Sequence, residues 1–140
     1  MRSMHALTAV FLVLILASCT SLLHSAKIND VDGIKKSLDS GIPIESKNDQ
    51  GRTALLIAAY SRNSEAVEYL CKRGADVNVK DGSGCTALIY AAYYNIVDVA
   101  EVLLTHNADR TITDRFGKTP LDYAEEYNFT RMTALLKGGV

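Results

Sequence analysis

Along most of this chain, apolar residues come in short helical clusters separated by polar turns, and the clusters return at a fixed interval. Leu55, Leu56, Ala58 and Ala59 form one cluster, and Ala66, Val67, Leu70 and Cys71 form another at helical spacing. Asn48-Asp49-Gln50-Gly51 precedes the first with turn chemistry, and Thr53 stands where a helix N-cap belongs. Arg62-Asn63-Ser64 separates the two predicted helices, and Gly74 suits the left-handed residue that closes the second. Thr53-Ala54-Leu55 then recurs as Thr86-Ala87-Leu88 and as Thr119-Pro120-Leu121, each 33 residues on. Gly51, Gly84 and Gly117 keep that interval, as do Gly41, Gly74 and Asn107. Such a period implies a stack of small units, none able to bury its own apolar face.

The two ends of the frame depart from the middle. Lys36 and Ser37 lie where later units have Tyr69-Leu70, and Thr133 and Lys137 lie where Val67 and Cys71 stand. Polar residues there suit terminal caps. Four units follow, 20–47, 48–80, 81–113 and 114–140. Residues 20–25 are open to two readings, as the start of the first cap or as unfolded chain.

The repeating pattern of turn, Thr-Ala/Pro-Leu, Ala-Ala, second helix and Gly-Ala-Asp-Val-Asn resembles the ankyrin repeat. The resemblance implies an all-α solenoid of about four helix–turn–helix repeats joined by β-turn fingers, and the apolar start of the chain is expected to set an N-terminal signal helix before it. It also implies a binding role, with finger tips and first-helix ends forming a concave, partner-facing surface. On this chain those positions are Asp49, Gln50, Arg52, Tyr60 and Ser61, then Gly82, Ser83, Cys85, Tyr93 and Tyr94, then Arg115, Phe116, Lys118, Glu126 and Tyr127. Of these, Arg52, Tyr60, Ser61, Tyr93, Tyr94, Arg115, Phe116, Lys118 and Tyr127 are the expected partner-binding residues. Tyr60, Tyr93, Tyr94, Phe116 and Tyr127 make an aromatic stripe, and tyrosine offers large contact area with little entropy to lose. The competing reading is that these rings pack on one another and cover helix ends. Tyr90 and Tyr123 align with Ile57 and are expected to face the core, with the hydroxyl at the rim. The family's His falls on Leu56, Ile89 and Asp122, and only Pro120 keeps its Pro, which implies an array less rigid than the consensus.

The N-terminus has a different pattern. Arg2 precedes an apolar run from Ala6 to Ala17, broken only by Thr8. Twelve residues are too few to span a bilayer, which needs roughly 20, but they match an export signal. Leu16-Ala17-Ser18-Cys19 resembles the lipobox of bacterial lipoproteins, which implies a signal peptide over 1–18, diacylglyceryl attachment at Cys19 and a repeat domain over 19–140. Acyl chains contribute about 0.8 kcal/mol per buried methylene, so two or more give lasting membrane attachment. Thr20 following the lipid site resembles lipoproteins forwarded to the outer membrane, so the expected location is the periplasmic face of a bacterial membrane, the outer one in enteric-type cells.

Composition narrows the remaining classes. The chain of 140 residues carries 15 basic and 16 acidic side chains and shows no basic stripe, which argues against nucleic acid. Past Cys19 only His24 and His106 remain, about two and a half repeats apart, in no nucleophile–base or metal spacing. The glycines follow the repeat and form no phosphate loop. Asp122, Glu125 and Glu126 read as a solvated acidic face. No cofactor, metal site or catalytic residue is therefore expected. Cys71 replaces a core residue and Cys85 sits at a finger tip; a bridge between them would suit an oxidising compartment, but their opposed directions argue against it. The reading reached is a lipid-anchored extracytoplasmic module that binds a protein partner, protecting or positioning an exported enzyme. The alternatives are an immunity protein that neutralises a periplasmic toxin, and a binder of haem or another small molecule through His24, His106 or an exposed Tyr.

Overall fold

A computed structural model describes residues 21–138, in which there are eight helices and no strand. The signal peptide over 1–18, the lipobox and Cys19 lie outside the described residues. Helix α1 covers 21–27. It is followed by α2 (Val31–Asp39), α3 (Ala54–Tyr60), α4 (Ser64–Lys72), α5 (Ala87–Tyr93), α6 (Val97–Thr105), α7 (Pro120–Glu126) and α8 (Thr130–Leu136). None of these helices is long and apolar enough to cross a membrane.

The helices form two layers. First helices α3, α5 and α7 pack side by side, and second helices α2, α4, α6 and α8 pack behind them. Each first helix starts at a threonine: the hydroxyls of Thr53, Thr86 and Thr119 accept hydrogen bonds from the amides of Leu56, Ile89 and Asp122. That satisfies one of the amides a helix start leaves unpaired. Asp122 also accepts from the amide of Thr119, so the family's His position serves a capping box here. Leu56 and Ile89, at the same position, are buried.

The link between the two helices of each unit turns on a left-handed residue with the same 33-residue period, at Asn29, Arg62, Asn95 and Asn128. Asn tolerates this conformation, which explains three of the four. Asn107 likewise adopts φ 64° at the position Gly41 and Gly74 occupy.

Leu55, Leu88, Val67, Leu70, Val99 and Leu103 are fully buried along the seam, with the Ala pairs 58–59 and 91–92 between the layers. Alanine permits close helix approach and the larger chains fill the space between units. Side chains also tie unit to unit: Asn63 donates to the carbonyls of Ala26 and Lys27 at 2.9 and 2.8 Å, and Asn78 accepts from the amide of Asp109 at 2.8 Å.

At the N-terminal end the structure differs from the solvated cap expected at Ser37. That residue is buried, and its hydroxyl lies 3.1 Å from the hydroxyl of Ser21. A hydroxyl can replace Leu70's counterpart because α1 brings it a partner. Helical structure from residue 21 also decides between the two readings of 20–25 for every residue but Thr20. At the other end Lys137 is exposed and pairs with Glu125 at 2.7 Å.

Candidate partner-binding surface

Each finger is a tight turn built on one side chain. The amide of Asn48 donates to the carbonyl of Arg52, and its Oδ1 accepts from the amides of Gln50 and Arg52. Asp81 does the same with Ser83 and Cys85, and Asp114 with Phe116 and Lys118. Successive fingers are stitched by their backbones: Gly82 donates to the carbonyl of Gln50 at 2.9 Å, and Arg115 to that of Ser83 at 3.3 Å.

In the later two fingers the carboxylate has a second oxygen to use. Tyr90 donates to Asp81 Oδ2 at 2.6 Å and Tyr123 to Asp114 Oδ2 at 2.5 Å. Both tyrosines are buried, as their framework position requires, with the hydroxyl reaching the finger base. Burial works against ionisation of Asp81, but Tyr90, the amides of Ser83 and Cys85, and Arg52 together hold it below the usual carboxylate range. Asp114 is held low in the same way, chiefly by Tyr123 against the cost of burial. Burial first, and the carboxylate bond second, push both phenols well above the ordinary tyrosine value.

The rings at the ends of the first helices form a continuous edge-to-face array. Tyr60 meets Tyr90 and Tyr94, each at 5.4 Å between centroids. Tyr93 meets Tyr94 at 4.8 Å, Tyr123 at 5.2 Å and Tyr127 at 5.5 Å. This geometry places the positive edge of one ring on the negative face of the next. Mutual packing, the competing reading of the stripe, is thus present, yet it does not cover the rings. Tyr60, Tyr93, Tyr94 and Tyr127 keep 43, 40, 37 and 42% of their surface exposed, which leaves a broad aromatic face available.

The other expected residues are distributed around that face. Arg52 reaches from its finger to the rings, 4.8 Å from the Tyr60 centroid and 5.2 Å from that of Tyr90. Ser61 caps α3 and is half-buried. Phe116 stands apart from the array, 70% exposed, with the Arg115 guanidinium 5.1 Å from its ring. Lys118 is drawn to Glu126 and lies 5.1 Å from the Tyr123 centroid. Between the last two fingers, Cys85, Tyr93, Tyr94, Arg115 and Phe116 border a cleft of about 190 Å³.

Asp81 and Asp114 lie outside the residues expected at the surface. The repeat carried a usable signal, because Asn48 with Ile57 becomes Asp81 with Tyr90 and Asp114 with Tyr123, two positions changing together.

Cys71 and Cys85 are both free thiols, one buried in α4 and the other half-buried in its finger. Burial pushes Cys71 up to about 11. Burial also raises Cys85, with the Asp81 and Asp114 carboxylates adding to it, so neither thiol is activated. His24 is exposed on α1, whereas His106 is in the second layer with Nε2 3.2 Å from Glu68. Among the described residues no three His, Cys, Asp or Glu side chains are grouped to hold a metal.

Comparison with known families agrees with this geometry. A model of ankyrin repeats in many copies matches residues 38–91, and one of three ankyrin copies matches residues 73–139. Comparison with curated proteins gave no match. The two family matches run without a break over well over half of the sequence, and their repeats are the helix pairs and fingers described above. The chain belongs to the ankyrin repeat family, whose members serve as protein-interaction modules.

Proposed function

We propose that this chain is a lipid-anchored extracytoplasmic module that captures a protein partner on its finger-and-first-helix face, to protect or position an exported enzyme. The observation that carries the binding face is the tyrosine array, in which four rings are locked edge to face and still about two-fifths exposed. Rings immobilised before contact lose little entropy on binding, so more of their buried area counts toward affinity. The anchored location rests on the apolar run and the lipobox Leu16-Ala17-Ser18-Cys19.

The test is crosslinking in native membranes followed by affinity purification of this chain. We expect Tyr60→Ala, Tyr93→Ala and Tyr94→Ala together to abolish recovery of the crosslinked partner while the far-ultraviolet circular dichroism stays unchanged. Undiminished recovery would rule out this face. The partner's identity then decides the role, since a secreted enzyme of the same cell supports protection and a foreign effector supports immunity.

A further inference from the structure

Arg52 forms, with Asp81, Tyr90 and Tyr60, a cluster of four parts. Its guanidinium donates to the Tyr90 hydroxyl at 2.9 Å and to Asp81 Oδ2 at 3.3 Å, and it lies over the rings of Tyr60 and Tyr90. One repeat later, three of the four parts return. Asp114 accepts from Tyr123 as Asp81 does from Tyr90. Tyr93 meets Tyr123 at 5.2 Å and 79°, as Tyr60 meets Tyr90 at 5.4 Å and 87°. The fourth part changes, because Cys85 stands where the frame places Arg52. The short side chain leaves the equivalent space open to solvent, and there the cleft of about 190 Å³ lies. Asp81 Oδ2 serves a hydroxyl and a guanidinium, whereas among the described residues no ion pair reaches Asp114.

We propose that this cleft receives an arginine side chain from the protein partner, which takes the place Arg52 fills in the preceding repeat. The occupant is chosen by chemistry on both sides. A carboxylate and a phenol oxygen accept the guanidinium's planar donors, and the ring faces attract its charge. Lysine fits less well, since a point charge cannot span the hydroxyl, the carboxylate and the rings together. Two cations of this chain stand nearby. Lys118 lies 5.1 Å from the Tyr123 centroid, but it is held by Glu126 and does not line the cleft. Arg115 does line it, with its head beside Phe116 and with Gly82 at its position one repeat earlier. It is the internal rival for the cleft, so shortening it favours the incoming arginine.

This inference rests on the proposed binding face, but its test reads the cleft directly. The probe is acetyl-Gly-Arg-Gly-amide titrated against the chain, with the ring signals of Tyr93 and Tyr123 followed by nuclear magnetic resonance. The control peptide carries citrulline, which keeps the shape and removes the charge. We expect saturable shifts with roughly tenfold tighter binding of the arginine peptide, the size of one charge-assisted contact over an aromatic face. Asp114→Asn should erase that preference and still fold, since Asn48 builds the same turn in the second unit. Arg115→Ala should tighten binding. Cys85→Arg should supply the guanidinium in cis, abolish the shifts and raise Tm by roughly 4 °C, while Cys85→Ser keeps both at wild-type values. Equal binding of the two peptides, or full binding by Cys85→Arg, would overturn the assignment. If peptides fail to discriminate while the tyrosine variant still loses its crosslinked partner, only the arginine site falls.

Discussion

Asp81 shows how one side chain comes to organise a finger, a ring array and a charge. Its Oδ1 holds the turn, its Oδ2 receives Tyr90 and Arg52, and its side chain is almost wholly withdrawn from water. A buried carboxylate is tolerated only when its oxygens are this fully paired. Tyr90→Phe removes one donor from Asp81 and the acceptor of Arg52, and should cost about 1–2 kcal/mol in urea unfolding. It should also change the pH dependence. Asp81 titrates near 3.8 when unfolded and lower when folded, so its contribution is complete above about 3.8 and disappears as pH falls through the folded value. Unfolding midpoints measured between pH 5 and 2 should therefore fall less steeply for Tyr90→Phe than for the wild type. An identical slope would show that the hydroxyl does not hold the carboxylate ionised. The Tyr hydroxyl at the rim was legible in the sequence, but its acceptor was not. Nothing in the local turn chemistry of Asp81-Gly82-Ser83-Gly84 tells which way the second oxygen points.

At the scale of the element, the finger is the part of the repeat whose sequence tolerance depends on its neighbours. Gly84 and Gly117 have the same left-handed backbone, φ 75° and 73°. A methyl group on Gly84 would lie 3.1 Å from the amide nitrogen of Arg115 in the next finger, while on Gly117 it would meet nothing within 4 Å. Alanine in the left-handed region costs about 1–2 kcal/mol wherever it stands. We expect Gly117→Ala to show that strain alone and Gly84→Ala to lose measurably more stability, because only the latter presses on the stitched neighbour. Equal losses in matched urea titrations would mean that the fingers move independently. The helix starts depend less on their neighbours. Thr at the cap and the Leu–Ala-Ala spacing act within one turn, so the caps at Thr53, Thr86 and Thr119 formed where the pattern placed them.

For the molecule as a whole, the described fold starts only a few residues after the proposed lipid site, since α1 is already helical at residue 21. Attachment at Cys19 would therefore hold the repeat stack close against the membrane, without a long leash. Cys19→Ser should move the chain from the membrane pellet to the soluble fraction and leave the unfolding midpoint unchanged. Retention in the pellet would remove the lipid anchor from the proposal. A fixed stance at the membrane also lowers the search volume for a partner at the same surface, which raises its effective concentration.

Repetition is what the amino-acid sequence determined by itself. The fold class and the positions of the repeated helices follow from a period of 33 and from capping and turn chemistry, all of which act over a few residues or recur unchanged. Tertiary structure decided how positions from adjacent units meet. The placement of Tyr60 against Tyr94, the burial of Ser37 beside Ser21 and the reach of Arg52 to Asp81 all depend on the stacking offset between units. That offset is set by how Ala and Leu faces pack through space, so no run of residues along the chain contains it.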